Sequence, residues 1–419
     1  MPKRRSWIVF WWSWDMPNKT FRELADVLYG KSPNDIRVHE SPFPIWGTGG
    51  KIGSAKKPLF SGPIIILPRK GTLTNPSYCE TDCWVIDTAY GAIAHFDVDT
   101  KWLFYNLSQT NLESLNEATG VPSINRDLLY RLEFYTPEPD IQRKIAKILT
   151  TVDNLIEQIE AAITKYQAIK QGMMHDLFTQ GVDANGRLRP PREEAPELYK
   201  ESELGWIPKE WEIKKADEIC FAVIDCKNRT PPETESGYPV IKTTNIKNGK
   251  LLLSSATFTD ESSYKLWTAK GIPSPGDILI TREAPIGETC VVPDTYPICL
   301  GQRMMMYKPD PNKIISNFLL YSIISHRIQA RLIELAGGST VGHVRVCDIR
   351  SLSLPIAPTQ EQGLISSLLA TADSHLTKQQ EFALKLYQIK SGLMQDLLSG
   401  RVRVPTTDTA TDQEPRHAS

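Results

Sequence analysis

No stretch of this 419-residue chain approaches the roughly 20 consecutive apolar residues that a membrane-spanning helix needs. Lys3-Arg4-Arg5 followed by Ile8 to Trp14 imitates a secretion signal, but the apolar run is short and Trp-rich, and no small-residue cleavage site follows. The seven cysteines are odd in number and scattered. That pattern argues against a disulfide framework and for a reducing, cytoplasmic setting. Charge of one sign is also lacking: 48 Lys and Arg against 49 Asp and Glu give a net charge of −1. Nucleic-acid binding therefore cannot be argued from bulk charge, and must rest on local patches or on a partner's charge.

Catalytic signatures are scarce as well. Gly30-Lys31-Ser32 resembles the end of a phosphate-binding loop, but Ala25 stands where the upstream glycine is required. Gly47, Gly49 and Gly53 do not have the spacing of a dinucleotide fingerprint. Asn75-Pro76-Ser77-Tyr78 is similar to the tetrapeptide of amino-methyltransferases, yet no cofactor-binding glycine motif precedes it. Cys79 and Cys83 with His95 lack an evident fourth zinc ligand. Asp225-Cys226-Lys227 has no placed acidic partner for nuclease chemistry. None of these assembles a reaction centre.

What the chain does contain is one long segment written twice. Gln142 to Leu177 recurs as Gln362 to Leu397 at a constant offset of 220 residues, matching Gln142 with Gln362, Asp153 with Asp373 and Lys170 with Lys390. In the first copy Ile141, Ile145, Ile148, Val152, Leu155, Ile159, Ala162, Tyr166, Ile169 and Met173 follow 4-3-4-3 spacing, the heptad pattern of a helix with one apolar stripe. The second copy keeps Ile365, Leu368, Ala372, Phe382, Leu386, Ile389 and Leu393, with His375 and Gln379 interrupting. Each seam needs a distant partner, and the other copy supplies one. Antiparallel pairing would relate two halves by a pseudo-twofold axis, on a rod of roughly 58 Å. An ordinary dimerisation arm has the same periodicity.

The expected organisation is α+β: a globular mixed domain at 1–137, a long helix at 138–182, a polar Pro-rich linker at 183–205, a second domain at 206–356, a second long helix at 357–400, and a polar tail at 401–419. Apolar runs at 63–68, 83–88 and 101–107 predict a largely β first domain with a few helices. Runs at 238–246, 276–282, 289–292 and 303–308 predict strands in the second domain, followed by a helix over 314–335.

Two globular units, each followed by a copy of one long helix, resemble the specificity subunit of type I restriction–modification systems. The segment from Ser202 to Trp211 (SELGWIPKEW) looks like that family's entry into its second target-recognition domain. The stretch from Gly338 to Ile349, then Leu352 to Pro358 (LSLPIAP), looks like its exit into the repeated helix. Gly120 to Leu128 and Tyr135 to Pro139 form a weaker first-half version, and the N-terminal MPKRRSWIVFWWSWD departs from the pattern. The resemblance covers nearly the whole chain. It implies a subunit without catalysis or cofactor of its own, reading double-stranded DNA as a split target with one domain per half-site, while the helices set the gap. Its implied partners are two modification subunits, which bind S-adenosylmethionine, and restriction subunits, which use ATP and Mg.

Base-edge readers are sought among exposed Arg, Lys, Asn, Gln, Ser and Thr on loops. In the first domain the candidates are Lys51, Ser54, Lys56, Lys57, Arg69 and Lys70. In the second they are Arg229, Thr230, Thr243, Thr244, Asn245, Lys247, Arg282, Gln302 and Arg303, with His343 and Arg345 flanking phosphates. The competing assignment is a coiled-coil scaffold with two protein-binding lobes, which would tolerate changes at these loops.

Overall fold

The computed structural model describes residues 18–73, 75–294, 297–337 and 342–405. The expected exit motif at Gly338 to Val341, the departing N-terminal stretch up to residue 17 and the tail beyond residue 405 lie outside those residues. The chain divides into two compact units, residues 1–160 with 381–419, and residues 161–380. Each unit takes half of the first long helix (Pro139–Thr179) and half of the second (Thr359–Leu398).

In the first unit the strands are β1 (Ala25–Tyr29), β2 (Arg37–Val38), β3 (Phe43–Gly47), β4 (Gly50–Ala55), β5 (Ile64–Pro68), β6 (Ser77–Cys79), β7 (Trp84–Val85) and β8 (Ala89–Ala94). One antiparallel sheet has the order β1-β8-β5-β6, and a mixed sheet has the order β2-β4-β3-β7, in which β3 and β7 run parallel. β5 is buried at all five positions, which is why it reads as an unbroken apolar run instead of an alternating one. The run at 101–107, grouped above with the strand signals, lies within helix α1 (Thr100–Gln109). The Asp99 side chain accepts the Trp102 N–H at 2.8 Å and caps its start, and Trp102, Leu103, Tyr105 and Leu107 are buried. Helix α2 (Arg126–Tyr130) follows.

The second unit holds β9 (Cys220–Asp225), β10 (Tyr238–Ile241), β11 (Thr257–Thr259), β12 (Ile278–Thr281), β13 (Thr289–Val291), β14 (Cys299–Leu300) and β15 (Met304–Pro309). Its antiparallel sheet has the order β9-β15-β12-β13. Its second sheet, β11-β10-β14, again has one parallel pair, β10 with β14. The four-stranded antiparallel sheets have one order in both units, and β11-β10-β14 repeats β4-β3-β7, with β2 having no counterpart, so the internal repeat extends to lobes whose sequences do not announce it. The helix expected over 314–335 is two, α3 (Ser316–Ile324) and α4 (His326–Leu335). Ser325 takes extended backbone between them, and its hydroxyl donates to the Ser322 carbonyl, a local bond that competes with the helical one. Helix α5 (Val346–Arg350) precedes the return into the second long helix.

The polar stretch 183–205 is folded against the second unit. Tyr199–Ser202 and Gly205–Pro208 form a hairpin, and Arg189 makes a two-pronged contact with the buried Glu361 carboxylate at 2.6 and 2.9 Å. That carboxylate also accepts the Val182 N–H at 2.8 Å. Gly181, at φ +66°, ends the first long helix beside this pair; a Cβ there would meet Glu361 Oε1 at 2.3 Å and displace the Arg189–Glu361 contact.

The long helices pair through contacts found within each unit. In the first, Asp153 meets Lys390 and Glu160 meets Tyr387, while Lys144 donates to the carbonyl of Pro405 beyond the end of the second helix. Partner numbers fall along the second helix as they rise along the first. The buried stripe keeps Ile145, Val152, Ile365 and Leu386 of the expected seam and elsewhere falls one position further on. Ile145, Leu149, Val152 and Ile156 are buried on the first helix, and Ile365, Leu369, Ala383, Leu386 and Met394 on the second. Ile148, Ile159, Met173, Ala372 and Leu393 are half-buried. Leu155, Tyr166, Ile169, Leu368, Phe382 and Ile389 stand 40–51% exposed. The cause is tandem apolar pairs: Ile148-Leu149, Leu155-Ile156, Leu368-Leu369, Phe382-Ala383 and Leu393-Met394 each offer two heptad choices. Periodicity alone does not choose between them.

Candidate nucleic-acid interface

Matched residues of the repeat attach each lobe to the helices. In the first unit Gln142, 2% exposed, accepts the Asp99 N–H at 2.9 Å and donates to the Pro137 carbonyl at 2.8 Å. In the second, Gln362 accepts the Ile315 N–H at 2.9 Å and donates to the Ala357 carbonyl at 2.9 Å. One turn of each long helix is thereby sewn to its own lobe. Further along, the Tyr105 hydroxyl of α1 donates to Asp153 at 2.7 Å, and Lys390 pairs with the same carboxylate at 2.6 Å. Tyr321 of α3 repeats this on Asp373 at 2.8 Å, with Lys170 at 2.5 Å. Burial, together with the adjacent carboxylate, holds both phenols above their ordinary range.

The two lobes also share a backbone node at the end of their central strands. Arg69, just past β5, donates its N–H to the Thr88 carbonyl (3.1 Å) and accepts the Ile124 N–H (3.0 Å). Arg282, just past β12, donates to the Arg303 carbonyl (2.9 Å) and accepts the Val344 N–H (3.1 Å). The Ile86 N–H bonds the Trp46 carbonyl at 3.0 Å, as the Gly301 N–H bonds that of Ile241 at 2.8 Å. Arg69 and Arg282 thus occupy one position in two copies of a frame.

In the first unit, Lys51 lies on β4 with its side chain exposed, Ser54 of the same strand is half-buried, and Lys56 and Lys57 are exposed just beyond it. Arg69 lies apart from that hairpin in sequence and stacks on Tyr29 at 4.9 Å, while Lys70 is exposed and bridges Ser123. Arg126 covers the same Tyr29 ring at 5.3 Å. Nothing local in the sequence marks this first residue of a short helix as part of a cationic cluster.

In the second unit, several candidates converge. Thr230 accepts the Gln302 N–H at 3.5 Å; Arg303 and His343 both face Glu283, at 3.3 and 3.6 Å; and Arg282 approaches His343 at 3.4 Å and donates to the Val344 carbonyl at 3.1 Å. Gln302, Arg303 and His343 are exposed, whereas Arg282 is 6% exposed with its Nε buried and unpartnered. Arg229 and Lys227 stack on Trp267 at 5.3 and 4.9 Å. Beside them burial pushes the Asp225 carboxyl up, but Lys270 and Arg350 hold it below the usual range. Thr244 and Lys247 are exposed, and Arg345 is exposed but engaged with Asp348 at 2.8 Å. Thr243 and Asn245, unlike the other candidates of this turn, are buried. The Asn245 amide is occupied by the Lys242 N–H, the Leu252 carbonyl and Ser255 inside a turn.

Among the described residues no group of three or more His, Cys, Asp or Glu is arranged to hold a metal ion, and no helix is long and apolar enough to cross a membrane.

Comparison with known proteins places this architecture. The family pattern of the type I restriction modification DNA specificity domain matches residues 15–165 and again 208–386, once per lobe-and-helix copy. The type I restriction enzyme MjaVIII specificity subunit of Methanocaldococcus jannaschii is 26% identical over 314 residues, spanning 73% of this chain and 71% of that protein. The crystal structure of a type I restriction-modification system S subunit from M. genitalium is 15% identical. It superposes with a TM-score of 0.61, covering 91% of this chain and 96% of that one, which bears on the fold. The family match takes in more than half of the chain, and the protein therefore belongs to the specificity-subunit family of type I restriction–modification systems, whose members recognise DNA and are not catalytic.

Proposed function

We propose that this chain reads a bipartite DNA target, each unit's lobe recognising one half-site and the paired long helices setting the unread gap. The observation that carries this is the duplication. Both units have the same order in their antiparallel sheets, the same arginine node and the same Tyr–Asp–Lys cluster on the helices. Two like readers, each attached to its own stretch of the long helices, suit two recognition elements separated along one duplex. Phosphate contacts position such a reader and base contacts specify, and the exposed side chains around Arg69 and Arg303 provide both kinds of group. A net charge of −1 leaves much of the phosphate contact to partners.

The partners in this reading are two modification subunits, which carry S-adenosylmethionine, and restriction subunits, which use ATP and Mg. Leu155, Tyr166, Ile169, Phe382 and Ile389, exposed on the long helices, supply apolar area for docking the modification subunits.

The test uses symmetry. A chain carrying the second lobe in both places, assembled with its modification subunits, should direct methylation to an inverted repeat of one half-site. Methylation that stays on an asymmetric split sequence would overturn the one-lobe, one-half-site reading.

A further inference from the structure

The shared frame separates positions that do the same work in both lobes from positions that differ. Arg69 and Arg282 are identical residues at one node, each bonded through its N–H to the residue just before the next strand. Between the parallel strand and that next strand each lobe has a tight turn of the same length. It holds Ile86-Asp87-Thr88 in the first and Gly301-Gln302-Arg303 in the second. Backbone bonds superimpose these turns residue for residue: Ile86 with Gly301, and Thr88 with Arg303. The Arg69 side chain donates to the Asp87 carbonyl of its turn at 2.7 Å, whereas the buried Arg282 holds its turn through the backbone bond to Arg303 and turns its side chain to the Val344 carbonyl, the counterpart of Ile124.

At the tip the lobes part company. Asp87 is an acceptor only and Thr88 a small hydroxyl, whereas Gln302 and Arg303 are long donors, both exposed. Arg303 holds φ +71°, an uncommon backbone for a non-glycine residue, and its guanidinium rests on Glu283 at 3.3 Å, from which a stronger partner can take it. An Arg suits guanine, a Gln adenine, and an Asp the amino group of cytosine. Two readers of different half-sites must differ where bases are read and can be alike where the frame is held.

Resting on the half-site reading above, we propose that the turn residues Gln302 and Arg303, and their counterparts Asp87 and Thr88, are specificity-determining positions, while Arg282 and Arg69 position the turns and are indifferent to sequence.

The experiment grafts one tip onto the other frame. Q302D/R303T is assembled with its modification subunits and offered DNA pools in which each half-site is randomised in turn; the bound fraction is sequenced. The expected result is a change in base preference of about ten-fold at one or two adjacent positions of a single half-site, the other half-site and the gap being unchanged. R282K should weaken binding while selecting the same bases. An unchanged preference in Q302D/R303T, or a change in both half-sites, overturns the proposal. If that variant binds nothing, D87Q/T88R decides: a shift confined to the opposite half-site supports the proposal, and no shift or no binding overturns it. A wild-type complex that selects no split sequence would instead refute the half-site reading itself.

Discussion

Tyr105→Phe removes one atom, and its consequence can be worked out from the contacts around Asp153. Tyr105 is 1% exposed and its hydroxyl donates to a carboxylate that also holds Lys390. A hydrogen bond to a charged group contributes about 1.5–3 kcal/mol. The Lys390 and Asp153 side chains remain 28% and 31% exposed, so that ion pair is screened and contributes no more than about 1 kcal/mol. Tyr105→Phe should therefore cost about 2 kcal/mol, and Asp153→Asn about 2–3 kcal/mol because it weakens both contacts. The double variant should be less damaging than the sum, with a coupling of about 1–2 kcal/mol. Tyr321→Phe and Asp373→Asn should reproduce these losses to within about 0.5 kcal/mol, the clusters being copies. Urea unfolding of the purified chain followed by circular dichroism gives the energies. Hydrogen exchange in α1 and α3 assigns each loss to its own unit. Losses below about 0.5 kcal/mol in both units, or strict additivity in the cycle, would refute the account of how each lobe is held to the helices.

Other consequences follow from single sites. Arg189→Met leaves the buried Glu361 carboxylate with the Val182 N–H as its remaining bond from that cluster, and should destabilise the second unit by about 3–5 kcal/mol in the same assay. Of the seven cysteines only Cys347 is exposed, and burial pushes the thiols of Cys220, Cys290 and Cys299 up to about 12. One thiol per native chain should react quickly with a colorimetric disulfide reagent, and Cys347→Ser should abolish that phase. Inserting four residues near Glu160 adds about 6 Å of helix. The gap in the methylated sequence should lengthen while both half-sites keep their bases, as read by mapping modified adenines.

What could be read from the sequence divides along physical lines. The long helices were legible because a 220-residue offset preserves Gln142, Asp153 and Lys170 as Gln362, Asp373 and Lys390, and these make the defining contacts. The buried stripe was legible only in part, at Ile145, Val152, Ile365 and Leu386, since tandem pairs such as Leu155-Ile156 satisfy two heptad registers equally. The common lobe topology was hidden because it is held by backbone bonds, which leave little trace in side-chain identity. The two node arginines sit in Pro68-Arg69-Lys70 and Thr281-Arg282-Glu283, and share nothing but themselves. The burial of Asn245 was not legible, because a turn-capping amide and a base-reading amide look alike in sequence until the partners are known. The helix over 101–107 was grouped with strand signals because aromatic residues favour strands, a preference that a capped, buried face overrides.

The most direct measurement maps modified adenines across the host genome with and without this gene, in cells shown to express the modification subunit. The account predicts a split motif, two short half-sites around an unread gap, that disappears on deletion and returns when the gene is restored. A map that stays the same with and without the chain would contradict it.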